Sequence, residues 1–337
     1  MSKQETQIIK GIAILMMLFL HLFNNGSANQ LQHLLWIDNQ PFLQILTRAA
    51  NPIFFFCFCG GYGLYYTFQR GKDSHHYSRI MKLYVHYWIV LLIFVPLAHF
   101  ISSEYTYPGN IQTILYNVTG LEVSWNMECW FLLPYALLSL TSKKMFSWMD
   151  KVRVRYVLGF TLLLYGIAGY LLTKNGSKLY PFQYPSINLF ILYLYLLFPF
   201  TIGAMTLRTQ VLTKLRLSFQ AITLHKRFIQ PFLYIVVLLL IISRCVINTN
   251  AYSPFYMFGM IVLILLIKRK AYTDKWLAHL GNLSMEMWLI HSWFCYYLFR
   301  DFFYGLKYPI VVFLVLLAAS YVSAVVVRFI GSRIIKS

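Results

Sequence analysis

The stretch Lys10-Gly-Ile-Ala-Ile-Leu-Met-Met-Leu-Phe-Leu-His21 decides the fold, because it is a membrane-length apolar helix with a cation at its base and a histidine within it. Residues eleven positions apart share one face of a helix, roughly 16 Å apart along its axis. With Lys10 at the cytoplasmic surface, His21 is expected near the middle of a hydrocarbon layer about 30 Å thick. An ionisable side chain there is costly and indicates a functional site. The structural alternative is a histidine that hydrogen-bonds a neighbouring helix.

The composition extends this reading to the whole chain. Of 337 residues, 59% are hydrophobic and only 12% are charged, which excludes a soluble domain and predicts a polytopic membrane protein. No small-residue cleavage site follows His21, so the first apolar run is predicted to be a retained span. The five cysteines lack metal-ligand spacing and are interpreted as small buried hydrophobic residues.

The charges give the topology of the predicted spans. Ten apolar stretches of spanning length cover residues 8–24, 42–68, 82–101, 124–141, 155–173, 187–206, 230–248, 254–268, 277–299 and 309–331. Of the 29 Lys and Arg residues, 23 fall at alternate ends of these stretches, so both termini are predicted to be cytoplasmic. The fold class is therefore an all-α, polytopic transmembrane helical bundle, predicted to form a single domain over residues 1–337. The net charge of +19 is attributed to topology and to anionic membrane lipids, and no nucleic-acid partner is expected.

Few polar residues interrupt the spans, and two of them lie near the predicted outer side. Glu128 lies about one turn into the fourth span, where a carboxylate could orient the His21 imidazole and stabilise its charged form. Arg48 precedes the apolar part of the second span, and Glu128 is a candidate ion-pair partner for it. The alternative for Arg48 is a side chain that reaches the outer surface.

Two further ionisable residues share the ninth span. Glu286 and His291 are five positions apart, so on a helix they project about 140° from each other and cannot both face one small site. His291 lies deeper and is the better site candidate, whereas Glu286 is equally well explained as structural.

A basic pair, Arg79-Ile-Met-Lys82, opens the third span on the predicted cytoplasmic side. Two cations three positions apart lie on one helix face and could hold the phosphates of a nucleotide-type donor. Positive-inside topology alone also predicts cations at this place.

Several of these patterns, in their order, resemble integral-membrane acyltransferase family 3, whose members O-acetylate surface polysaccharides and related acceptors. The first-span pattern of a basic residue, ten positions and a histidine corresponds to Lys10 and His21, with lysine where the family usually has arginine. The second span usually reads Pro-Phe-Phe followed by Ser-Gly, and here it reads Pro52-Ile-Phe-Phe-Phe-Cys-Phe-Cys59-Gly60, with Cys59 in place of serine.

The later landmarks of the family follow in the same order. The basic pair Arg79-Ile-Met-Lys82 is followed by Tyr87-Trp88, and the closing pattern is Gly281-Asn-Leu-Ser-Met-Glu-Met-Trp-Leu-Ile-His291. The middle landmark corresponds to Glu128-Cys-Trp-Phe131 in its internal spacing, although Trp125 stands closer to the glutamate than in the family.

The resemblance implies transfer of an acyl group, usually acetyl, from cytoplasmic acyl-CoA to a hydroxyl at the far side of the membrane or within it. Such transfer needs a base that takes the hydroxyl proton, and histidine suits this role near neutral pH. His21 is the predicted base, and Glu128 and His291 are the other catalytic candidates. The CoA phosphates are assigned to three cations, Lys10, Arg79 and Lys82. No metal is expected.

Arg48 is the candidate for stabilising the oxyanion of the tetrahedral intermediate. The acceptor is expected to be a cell-surface glycan or its lipid-linked precursor, and the location a bacterial plasma membrane. A non-enzymatic transporter or flippase, with His21 and Glu128 as a proton relay, is the alternative; such a protein would more often show internal repeats.

Overall fold

The computed structural model describes residues 1–71, 75–101, 107–174, 185–223 and 228–335, and nearly all of them are helical. The helices are α1 (Lys3–Phe23), α2 (Phe42–Thr47), α3 (Pro52–Gln69), α4 (His75–Ile101), α5 (Ile111–Thr119), α6 (Leu132–Lys151), α7 (Val154–Lys174), α8 (Pro185–Thr209), α9 (Val211–Thr223), α10 (Ile229–Val246), α11 (Ser253–Leu266), α12 (Ala271–Ser292), α13 (Arg300–Gly305) and α14 (Pro309–Ile335). Some cations used in the topology argument lie outside the described residues: Lys72, Lys178, Lys226, Arg227 and Lys336.

Short elements connect some of the helices. Strands β1 (Trp36–Ile37) and β2 (Gln40–Pro41) form an antiparallel hairpin, with Ile37 opposite Gln40. Segments of 3₁₀ helix cover Gly26–Gln30, Met127–Phe131 and Asn250–Tyr252, and a π-helical segment, Trp293–Leu298, extends α12.

The all-α polytopic bundle predicted from the sequence is confirmed. Among the described residues, seven helical segments are long and apolar enough to cross a membrane: Lys3–Phe23, Phe42–Gln69, Tyr77–Ile101, Val154–Lys174, Pro185–Thr209, Ile229–Val246 and Pro309–Ile335. The other three predicted spans correspond to α6, α11 and α12. The first and third of these carry many polar side chains, and α11 has only 14 residues. The structure therefore supports a multi-pass membrane protein without confirming the count of ten.

Helix α1 begins earlier than hydropathy predicts, because a polar cap stabilises its first turn. The Ser2 side chain accepts from the Glu5 amide at 3.1 Å, and the Glu5 carboxylate accepts from the Ser2 amide at 2.6 Å. This reciprocal capping satisfies two of the amides that a helix start leaves unpaired. The polar residues 3–7 are therefore helical, and α1 extends below the apolar run.

Glycines allow α1 and α12 to pack in direct backbone contact. A Cβ at Gly11 would collide with the Leu277 backbone, and a Cβ at Gly281 would collide with the Gln7 backbone. Small residues let membrane helices approach closely, and this approach fixes the register of the two parallel helices. The register determines which residues of α1 and α12 meet at their outer ends.

We expect Gly281→Ala to destabilise the protein by about 1–3 kcal/mol, because the new Cβ forces the two backbones apart. Gly159→Ala in α7 is the matched control, since nothing lies near its added Cβ and alanine is the better helix former. Thermal unfolding in detergent checks the pair. Equal unfolding temperatures for the two variants would show that the backbone contact is not tight.

The Glu286 carboxylate holds α12 to α14. It is fully buried and accepts from Arg328 through both oxygens, with Nε–Oε1 at 3.0 Å and Nη2–Oε2 at 2.8 Å. The buried His86 ring of α4 lies 3.5 Å away from Oε1. Of the two sequence interpretations of Glu286, these contacts favour the structural one.

We expect Glu286→Gln to destabilise the protein by about 1.5–3 kcal/mol, since it weakens charged hydrogen bonds to a fully buried group while Arg328 stays one-third exposed. Asp274→Asn is the control, because that carboxylate pairs with Arg269 while 27% of its side chain stays exposed, and such pairs contribute little. Denaturation of both variants in the same detergent measures the difference. A Glu286 effect as small as the Asp274 effect would contradict the structural role.

Candidate functional site

A polar cavity of about 520 Å³ lies at one end of the bundle. Most of its lining residues lie at ends of elements that the charge pattern predicts to face outward, and Tyr195 lies within α8. His21, Arg48 and Glu128 are among its lining residues, so the structure brings together three of the predicted site residues. The remaining lining residues are Met17, Leu20, Asn24, Gln40, Gln44, Thr47, Ala50, Asn51, Pro52, Ile53, Phe54, Trp130, Tyr195, Arg244, Asn248, Asn250 and Ser253.

His21 lies in the last turn of α1, which ends at Phe23. This end of α1 borders the cavity, and the His21 side chain lines it. The expected position of His21 near the middle of the membrane stays a prediction.

Side chains from the end of the bundle hold the backbone of this last turn. The Tyr296 hydroxyl donates to the His21 carbonyl at 2.5 Å, and the Asn25 amide donates to the same oxygen at 2.7 Å. The Tyr304 hydroxyl donates to the Leu22 carbonyl at 3.0 Å. These bonds satisfy carbonyls that the helix end leaves unpaired and so fix the position of His21.

The His21 and His291 rings are in edge contact, with centroids 4.9 Å apart and an interplanar angle of 76°. Within the described residues, His21 Nδ1 and His291 Nε2 are both buried and have no hydrogen-bond partner. His291 Nδ1 lies 2.8 Å from the Trp288 carbonyl. A carbonyl only accepts, so the proton of a neutral His291 is on Nδ1 and its Nε2 is an acceptor. The contact between the two rings would allow His291 to orient His21, if His21 acts as a base.

The 3₁₀ segment Met127–Phe131 carries Glu128 into the same cavity. The Tyr297 hydroxyl donates to its Oε2 at 2.8 Å, and the Trp288 indole donates to its backbone carbonyl at 3.0 Å. The carboxylate therefore faces the cavity from a segment fixed to α12 and its π-helical extension. Among the described contacts, no hydrogen bond joins Glu128 to His21.

Arg48 lines the cavity, but the ion pair expected with Glu128 is not formed. Its Nη1 donates to the Cys245 carbonyl at 3.2 Å, and its Nη2 donates to Gln40 Oε1 at 3.0 Å. The physical reason is that Cys245 lies in the last turn of α10, where exposed carbonyls attract cations. The arginine borders the cavity, and its exposed bond to Gln40 is also compatible with a side chain that reaches the outer surface.

The three predicted CoA-binding cations gather near one another. Lys10 is within electrostatic range of Arg79 and Lys82 and of the Cys59 sulfur. Arg79 and Lys82 are exposed, whereas Lys10 is partly buried. Lys10 lies about two turns after the start of α1 at Lys3, and its expected place at the membrane surface stays a prediction. Lys10 is therefore the inner member of the group.

The cation group and the cavity are separate. Met17 is the deepest residue of α1 that lines the cavity, and it lies about 10 Å above Lys10 along the helix. His21 lies about 16 Å above Lys10. A donor whose phosphates contact the cations must extend its reactive end over this distance.

The sequence did not single out Arg244, Tyr296 or Tyr297, although all three contribute to the site. The sequence could have identified Arg244, since it is one of the few cations on the predicted outer side and so departs from the positive-inside rule. The two tyrosines carried none, because aromatic residues are abundant throughout this chain.

Comparison with protein-family models gives one further finding. The model of acyltransferase family 3, described as an acyltransferase domain, matches residues 5–329. Comparisons with curated proteins and with solved structures gave no match.

Proposed function

Since the chain belongs to acyltransferase family 3, we propose that this membrane acyltransferase moves an acetyl group from cytoplasmic acetyl-CoA to a hydroxyl of a cell-surface glycan or its lipid-linked precursor. The observation that carries the proposal is the arrangement along α1. His21 borders a polar cavity at the outer end, and Lys10 belongs to a cation group toward the opposite end. One helix thus links a site suited to a hydroxyl acceptor with a site suited to CoA phosphates.

In the proposed reaction, His21 Nε2 takes the proton of the acceptor hydroxyl while its oxygen attacks the thioester carbonyl carbon. The tetrahedral intermediate then collapses, the carbon–sulfur bond breaks, and the protonated imidazole returns its proton to the leaving CoA thiolate. Acetyl ester and free CoA are the products, so the base is restored in each cycle.

We assign His291 to orienting His21. A His21 Nδ1–H that donates to His291 Nε2 leaves His21 Nε2 with the free lone pair that a base needs. The edge contact of the two rings supports this assignment, although the hydrogen bond itself is not formed in the described structure. His291 then acts through His21 and does not itself touch the substrate.

Glu128 and Arg48 border the same cavity and have complementary proposed roles. The Glu128 carboxylate borders the cavity, where it can accept a hydrogen bond from the acceptor beside the one that Tyr297 donates to its Oε2. Arg48 remains the proposed stabiliser of the oxyanion, because it is a cation in the cavity that His21 borders.

The proposed location is the plasma membrane of a bacterium, with the cation group facing the cytoplasm and the cavity facing outward. This orientation follows from the charge pattern of the loops. In this orientation, the cation group faces the compartment that contains acetyl-CoA, and the outer cavity is open to a glycan.

Mass spectrometry of surface glycans from cells with and without the gene tests the proposed function. We expect loss of an acetyl-sized mass increment from glycans that are otherwise unchanged in amount. A fall in the amount of whole polymer, with no acyl-sized shift, would contradict acyl transfer and favour a transporter.

A further inference from the structure

The outer cavity contains a second arginine, Arg244, in addition to Arg48. Arg244 is buried, with 6% of its surface exposed, and it lies in the last turn of α10. Its Nη1 donates to the Ile247 carbonyl at 2.9 Å, and its Nη2 donates to Ser253 Oγ at 3.2 Å. Its Nε has no hydrogen-bond partner among the described residues. The guanidinium is thus held in place by neutral groups only.

Within the described part of the chain, no carboxylate forms an ion pair with either arginine. The Arg48 acceptors are a carbonyl and an amide oxygen. Both arginines also contact the carboxyl end of α10, but a helix end carries only about half of a negative charge. Glu128 is the acidic residue of the described cavity lining, and its carboxylate is engaged by Tyr297. The described lining therefore has an excess of positive charge.

A buried charge without a counter-ion is costly, and proteins keep such charges chiefly where a ligand supplies the partner. Guanidinium groups match the flat, two-oxygen geometry of carboxylate and phosphate. The two arginines therefore favour a ligand with an anionic group.

The rest of the lining suits a saccharide. Amide side chains of Asn24, Gln44, Asn51 and Asn250 can donate to and accept from hydroxyl groups. Trp130 offers an aromatic surface beside them. The cavity thus combines hydroxyl-binding groups with fixed cations, and its volume of about 520 Å³ falls in the range of small-ligand sites.

We infer that the acceptor is an acidic saccharide, whose carboxylate or phosphate group binds at Arg244 while one of its hydroxyls faces His21. This inference rests on the proposed function and narrows its acceptor class. Arg244 is assigned as an acceptor-binding residue, and Arg48 contributes a second positive charge at the same wall.

The test compares matched sugars on the purified full-length protein in detergent, at equal ionic strength. Methyl glucuronide and glucose 1-phosphate are the acidic probes, and methyl glucoside is the neutral one. We expect at least one acidic sugar to raise the unfolding temperature and the neutral sugar to have no effect at the same concentration. Protection by methyl glucoside equal to that by the acidic sugars, or protection by no sugar, would overturn the inference.

Two variants test whether the acidic sugars raise the unfolding temperature by binding at Arg244. Arg244→Gln should weaken the acidic-sugar protection about tenfold or more in concentration, since a charged hydrogen bond is lost. Arg300→Gln is the matched control, because this exposed outer arginine donates to Ser27 Oγ and does not line the cavity. Equal protection of the Arg244 and Arg300 variants would overturn the assignment of Arg244. If Arg244→Gln does not fold, the comparison of sugars on the unmodified protein still decides the inference.

A phospholipid headgroup could supply the same anionic chemistry. The unfolding temperature is therefore also measured in phosphatidylglycerol nanodiscs, in phosphatidylcholine nanodiscs and with inorganic phosphate, to distinguish a lipid or a free anion from a saccharide. Protection by phosphatidylglycerol or by phosphate alone, equal to that by the acidic sugars, would assign the arginines to a lipid headgroup or a free anion and overturn the saccharide. Acetyl-CoA binding, measured separately, reports on the proposed function itself. If acetyl-CoA binds but no acidic sugar raises the unfolding temperature, the acidic acceptor is refuted and the proposed acyl transfer is not.

Discussion

Replacing His21 with alanine is expected to lower acetyl transfer by about 10²–10⁴-fold, the range that a general base contributes. The hydroxyl of a saccharide is a weak nucleophile, so its proton must leave as it attacks the thioester. Within the described lining of the cavity, His21 is the residue whose side chain suits this task near neutral pH. The loss should appear in kcat, since the imidazole acts in the transition state.

The measurement is transfer of labelled acetyl from acetyl-CoA to glycan in membranes with equal amounts of each variant. His279→Ala is the matched control, because His279 lies on α12 and contacts the Tyr321 hydroxyl at 3.0 Å outside the cavity. We expect the control to keep its activity. Equal labelling by wild type and His21→Ala would remove His21 from the chemistry and pass the role of base to Glu128 or His291.

Replacing His291 with leucine is expected to lower kcat by about 10–100-fold, by analogy with the loss caused by removing the hydrogen-bond partner of a metal-binding histidine. Leucine fills a similar volume but cannot accept from His21 Nδ1–H or donate to the Trp288 carbonyl. His21 would then be free to adopt the tautomer in which Nε2 carries the proton and cannot act as base.

His291→Gln provides the conservative rescue for this prediction. A glutamine amide can donate to the Trp288 carbonyl and accept from His21, so this variant should keep most of the activity. Unfolding temperatures of both variants show that each is folded. Equal losses of activity in the leucine and glutamine variants would contradict an orienting hydrogen bond and leave His291 as a packing residue.

The sequence predicted the all-α polytopic bundle, because long apolar runs are local features of a chain. His21 and the three cations that could bind CoA were also recognisable as candidate site residues, since the first-span spacing and the basic pair are short patterns. The family was recognisable for the same reason, from the order of such patterns along the chain. The helical residues 3–7 were not recognisable by hydropathy, because the Ser2 cap and not apolar burial stabilises the first turn of α1.

The composition of the cavity could not be predicted, since it depends on contacts between distant segments. Glu128 meets Tyr297 across 169 positions, and Arg48 meets Cys245 across 197. No local periodicity records such pairs. The Arg48 side chain also bonds the Cys245 carbonyl at the end of α10 and not the expected carboxylate, because the bundle places that helix end beside it.

The sidedness of the donor tests the central claim most directly. Labelled acetyl-CoA, which does not cross membranes, is added to inside-out and to right-side-out vesicles that contain the chain and its native glycan. We expect glycan labelling only in inside-out vesicles, where the face with Lys10, Arg79 and Lys82 meets the donor, and none with His21→Ala. Labelling of right-side-out vesicles at an equal rate would contradict an acyl group that moves from the cation group to the outer cavity.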